Sequence, residues 1–142
     1  MRNVFQFDGI VFWVNQDIIH CKLDSQFFTK YNSETTVALL KDTIPSLSHG
    51  SYLPLLINVE NLERPCALKL FNIISNSSDI KKLVLSRIFV VNSFGLKIIL
   101  TLNNLIVKQA VPNKIFRNYN SAITFCKNDY LSFNRVTNHN FS

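Results

Sequence analysis

The 142-residue chain is 47% hydrophobic and 17% charged, with twelve Phe, which excludes a disordered chain and implies a dense interior. This length suits one domain and buries most of its apolar surface without disulfide or metal staples. The net charge of +6 is uneven: residues 1 to 79 carry six Lys/Arg against eight Asp/Glu, and residues 80 to 142 carry nine against one.

Residues 1 to 14 mix Arg2, Asn3, Gln6 and Asp8 among apolar side chains and lack a small-residue cleavage site, so they do not read as a signal peptide. The longest apolar stretch, residues 94 to 107, is broken by Lys97, Thr101, Asn103 and Asn104 and is too short to cross a bilayer. Cys21, Cys66 and Cys126 show no C-x-x-C spacing for zinc or thiol exchange and read as buried thiols of a cytoplasmic chain.

In chain order, residues 9 to 14 and 18 to 23 are β-branched and aromatic runs at hairpin distance, predicting two antiparallel strands. Ser33 and Glu34 supply a cap and an acidic first turn for a helix over 33 to 44, which Pro45 and Gly50 close. The continuous apolar run 53 to 59 predicts a central strand covered on both faces, with Pro54 at its very start. Pro65 opens a helix over 65 to 75. A strand over 88 to 91, a helix over 94 to 107, a strand over 114 to 117 and a short helix over 121 to 126 follow. From residue 128 the chain is polar and Asn-rich, and a loose tail is expected over 128 to 142.

The expected order is β-β-α-β-α-β-α-β-α: one α/β domain over 1 to 127, mostly parallel, with an N-terminal antiparallel edge hairpin.

Four segments, 7 to 11 (Phe-Asp-Gly-Ile-Val), 53 to 59 (Leu-Pro-Leu-Leu-Ile-Asn-Val), 87 to 93 (Arg-Ile-Phe-Val-Val-Asn-Ser) and 111 to 116 (Val-Pro-Asn-Lys-Ile-Phe), together resemble uncharacterised bacterial proteins related to STAS or SpoIIAA-like domains, the anti-sigma-factor-antagonist type. The resemblance spans roughly residues 3 to 127. It implies a STAS-like fold and a signalling or scaffold role, since relatives bind partner proteins and sometimes nucleotides or lipids. Antagonists of this type carry an Asp-Ser phosphorylation motif at the helix start after the central strand. Here that switch region contains Glu63, Arg64, Cys66 and Ala67 and no hydroxyl residue, so the resemblance does not carry over a kinase-controlled switch.

Catalytic chemistry finds little support. His20 falls in a strand, His49 in a loop and His139 in the tail, too scattered for a proton relay. Glu60 and Glu63 flank the end of the central strand, but two carboxylates without a third group specify no reaction. Gly9, Gly50 and Gly95 are too far apart for a phosphate-binding loop. No cofactor, no metal site and no enzymatic activity are expected.

The binding signal lies in residues 94 to 107. Lys97, Thr101, Asn104 and Lys108 recur at helical spacing on one face, while Phe94, Leu100 and six further apolar residues wrap more of the circumference than one sheet face covers. This points to a protein-interaction module that self-associates as a homodimer. The alternative is a module docking on nucleic acid or an anionic membrane surface through its basic second half. Lys114, Phe116, Arg117 and Tyr119 hint at such a surface, although strand alternation splits Phe116 from Arg117.

Overall fold

The computed structural model describes residues 4–106 and 113–140. Its strands are β1 (Val4–Phe7), β2 (Ile10–Asn15), β3 (Ile18–Asp24), β4 (Leu55–Asn61), β5 (Arg87–Val90) and β6 (Lys114–Phe116). Its helices are α1 (Phe27–Lys30), α2 (Ser33–Ser48), α3 (Arg64–Asn76), α4 (Ser78–Leu83), α5 (Phe94–Ile106) and α6 (Tyr119–Asn140). The strands form one mixed sheet in the order β1-β2-β3-β4-β5-β6. β1, β2 and β3 pair antiparallel, and β3 to β6 pair parallel.

The architecture is the expected α/β type, with four local differences. The antiparallel start has three strands, because Val4–Phe7 also pairs with β2. The short helices α1 and α4 add to the expected order. Pro45 lies inside α2, which ends at His49 in the left-handed region with φ 51; near the carboxyl end a proline interrupts little of the ladder. The polar segment expected to be loose continues α6 as far as Asn140, because Ala122 and Cys126 anchor its first turns in the interior.

Local chemistry explains the turns and caps. Gln16 and Asp17 both take positive φ, as a two-residue hairpin with the twist of its strands requires. The cap of α2 is Asn32, one residue before the expected Ser33. Asn32 Oδ1 accepts the Thr35 N–H at 2.9 Å, while Thr35 Oγ1 accepts the Asn32 N–H at 2.8 Å, a reciprocal capping box. Pro54, which has no N–H to give, sits just before β4, and its carbonyl accepts the Ile19 N–H at 2.9 Å.

Each parallel strand lies beside the one before it, and right-handed crossovers advancing in one direction leave every crossover helix on the same face. Accordingly Leu40 and Ile44 of α2, Leu70 and Phe71 of α3, and Leu96 and Leu100 of α5 share one apolar cluster with Cys21, Ile57 and Phe89 of the sheet. α6 covers the opposite face of β4, β5 and β6, where Ala122 and Cys126 pack on Leu56, Ile88 and Val90. Leu55, Leu56 and Ile57 are apolar on both faces for this reason.

The tightest backbone approach is at Gly9, with φ +77, where an added Cβ would stand 2.3 Å from the Phe27 nitrogen. Gly9→Ala is expected to lower unfolding stability by about 3 kcal/mol. Gly50→Ala, with φ +85 but nothing within 4 Å, should cost about 1 kcal/mol. Urea denaturation of the two variants checks the contrast.

Candidate functional site

Three places bring side chains together in ways the core does not require: the outward face of α5, the turn into α3, and the open sheet face beside α6.

α5 starts where Ser93 Oγ accepts the Leu96 N–H at 3.0 Å. Leu96 and Leu100 are buried, at 2% and 0% exposure. At about 100° per residue, Phe94, Ile98, Leu102 and Leu105 fall within an arc of about 80° centred opposite them. These four are 59%, 43%, 53% and 73% exposed. The stripe runs about 16 Å along the helix and holds no polar side chain.

The polar residues recognised in the sequence flank this stripe. Thr101 is exposed and its hydroxyl donates to the Lys97 carbonyl at 2.7 Å, a bond within the helix. Asn104 Nδ2 donates to the Asn113 carbonyl at 2.7 Å and so ties the helix to the approach to β6. Lys97 is half-buried, and Lys108 lies outside the described residues. Leu100, grouped with the surface candidates in the sequence, is a core residue. The Arg117 guanidinium lies 5.7 Å from the centre of the Phe94 ring, a cation–π contact at one end of the stripe. Lys114 similarly reaches over Phe125, at 5.9 Å.

At the turn into α3, Glu63 is the cap residue, but its side chain makes no capping bond. Arg64 and Glu63 are exposed, Cys66 is half-buried and Ala67 is buried. Arg64 packs its guanidinium against Gly95, where an added Cβ would lie 3.1 Å from a terminal nitrogen. The starts of α3 and α5 are thus held side by side.

The third place joins residues that are far apart in the sequence. His20 and Trp13 are register partners on β3 and β2, and their rings stack at 5.0 Å with 5° between planes. Tyr119, the first residue of α6, brings its hydroxyl to 3.0 Å from His20 Nδ1. Burial, with Cys126 and Glu60 nearby, raises the Tyr119 pKa above its ordinary value. A 180 Å³ cavity opens here, lined by Trp13, His20, Cys21, Lys22, Leu56, Asn58 and Tyr119. Strand alternation alone puts Trp13, His20, Lys22 and Asn58 on one face; Tyr119 joins them only through the parallel crossover, a contact 99 residues apart in sequence.

A wider groove of 710 Å³ between α2, α3 and α4 has Val37 and Ile73 in its wall and Glu34 and Lys69 at its margin, with no histidine or cysteine. Among the described residues no cluster of three or more His, Cys, Asp or Glu side chains is arranged to hold a metal. No described helix is long and apolar enough to cross a membrane.

All three cysteines are free thiols. Burial pushes the Cys21 thiol far above its ordinary range; burial first and the Asp129 carboxylate second push Cys126 up to about 12. Half-buried Cys66 should therefore react first with a disulfide reagent under native conditions, and the other two only on unfolding. The unfolded thiols ionise near 9.0 while the folded Cys126 resists to about 12, so the stability they contribute is intact below pH 9 and is lost as pH rises toward 12. Denaturation between pH 8 and 11 should show this decline, flattened in a Cys21→Ala, Cys126→Ala variant.

No protein-family model matches this chain, and no curated protein matches it closely enough to mark a relative.

Proposed function

We propose that the chain is a non-catalytic interaction module that pairs with a second copy of itself through the outward face of α5. The observation carrying this reading is the stripe of Phe94, Ile98, Leu102 and Leu105, exposed directly opposite the buried side of the same helix. A helix whose only structural task is to cover a sheet presents polar residues on its far side; four large apolar side chains there lose free energy to water until something covers them.

A second copy suits this face for three reasons. The stripe's own side chains carry no charge, and the Arg117 guanidinium over Phe94 stands at one end only, so an antiparallel copy meets it with like apolar surface and keeps the two Arg117 groups at opposite ends. Its spacing of four, four and three residues is close to palindromic, and an antiparallel twofold pairing sets Phe94 against the partner's Leu105 and Ile98 against the partner's Leu102. Such a contact is self-complementary and closed. Lys97, the one charged residue within the helix, lies well to the side of the stripe, so the two copies do not bring like charges face to face.

The non-catalytic part of the reading rests on how the reactive groups are used. His20 is engaged between Trp13 and Tyr119, and the Cys21 and Cys126 thiols are held protonated. The free thiols support a reducing, cytoplasmic setting. The kinship with STAS-like signalling or scaffold modules belongs to the same proposal, supported by the parallel α/β layering and the quoted segments. In this chain the turn holding Glu63, Arg64, Cys66 and Ala67 would serve as a fixed contact rather than a phosphorylation switch.

Sedimentation velocity over a concentration series tests the pairing. The expected result is a monomer–dimer equilibrium that Leu102→Asp weakens at least tenfold, about 1.4 kcal/mol, while the melting temperature of the exposed-site variant changes little. A wild-type chain that stays monomeric at high concentration would contradict the reading. Salt-sensitive retention of that monomer on heparin would move it to an anionic partner.

A further inference from the structure

The cavity beside α6 has no part in the pairing of α5. Its wall is aromatic: the Trp13–His20 stack on the sheet and Tyr119 on the helix. Its polar side is made of donors. Lys22 supplies an ammonium group. Asn58 has its oxygen occupied, since Oδ1 accepts the Glu60 N–H at 2.9 Å, and a carboxamide fixed in that way offers its NH₂. Tyr119 opens the 22-residue α6, so the positive end of a long helix dipole lies at the rim. Glu60, two residues beyond Asn58 along β4, stands outside the lining, which includes no carboxylate. At 180 Å³ the space suits a single ring with one substituent rather than a nucleotide or a peptide.

We propose that this cavity binds a small planar carboxylate, with its ring against the aromatic wall and its charge on Lys22 and Asn58. The cavity lies on the open face of the sheet, over the middle of β3 and the first half of β4, at the boundary with the antiparallel start. The ring gains stacking and burial from Trp13; the carboxylate gains charge-assisted hydrogen bonds from the ammonium and the carboxamide. Glu60 at the margin disfavours ligands carrying a second anionic group.

Trp13 is the sole tryptophan of the chain, so its fluorescence reports on this cavity alone. The test titrates the full chain with benzoate, and with benzamide as the neutral counterpart. Benzoate should give a saturable change with a dissociation constant on the order of 1 mM, as a ligand of so few atoms allows. Benzamide, and benzoate on Lys22→Gln, should each bind at least fivefold more weakly. Lys22 is exposed, so its replacement leaves the fold intact; Asn58→Leu is the second variant and should weaken benzoate similarly. No saturable change with benzoate overturns the site, as does unchanged affinity on Lys22→Gln. Equal affinity for benzoate and benzamide overturns the anionic class. A Leu102→Asp chain should bind benzoate as the wild type does, so failure here and failure of the α5 pairing are separate results.

Discussion

The one-way winding of the parallel strands is the constraint from which the rest follows. β3, β4, β5 and β6 are laid down side by side in chain order. With right-handed crossovers each connecting helix must land on the same face. That face receives α2, α3 and α5 and becomes the larger core, sealed by Phe12, Phe27, Phe71 and Phe89. The opposite face is left to α6, which reaches β4 to β6. Exposed Gln6 and Lys22 and half-buried Val11 and Trp13 of the antiparallel strands remain beside it.

Both proposed surfaces arise from this asymmetry. α5 is the last crossover helix in the row, with α3 beside it and β6 beneath it, and its far side points away from both. The cavity forms where α6 begins, because one helix cannot span all six strands and its first residue comes down on His20 at the border of the uncovered area. One surface is long and apolar; the other is small, aromatic and rich in donors. The two call for different occupants.

Much of the fold was legible because its signals are local. The β-branched and aromatic run of residues 9 to 14, the Pro65 helix start and the unbroken apolar runs at 55 to 57 and 88 to 91 are each signals carried within their own segment. The short strand Val4–Phe7 was missed because it has only four residues at an exposed edge. The continuation of α6 past residue 128 was missed because its sequence is Asn-rich and polar, so its helicity depends on tertiary anchoring at Ala122 and Cys126 and not on propensity. On α5 the apolar excess was evident, but sequence could not say which side faced the sheet. The structure assigns Leu100 to the core and turns Asn104 toward Asn113, leaving Phe94 and Leu102 outward. The grouping of Trp13, His20 and Tyr119 had no sequence signal, since its third member joins through a contact 99 residues away.

Oxidative cross-linking tests the pairing of α5 most directly. In a Cys66→Ala background, where Cys21 and Cys126 are buried, chains carrying Ile98→Cys are mixed with chains carrying Leu102→Cys. Antiparallel twofold packing predicts disulfide-linked dimers that form faster in the mixture than in either variant alone. Equal or negligible cross-linking in all three samples, at concentrations where the chain sediments as a dimer, would place the interface elsewhere and contradict the account.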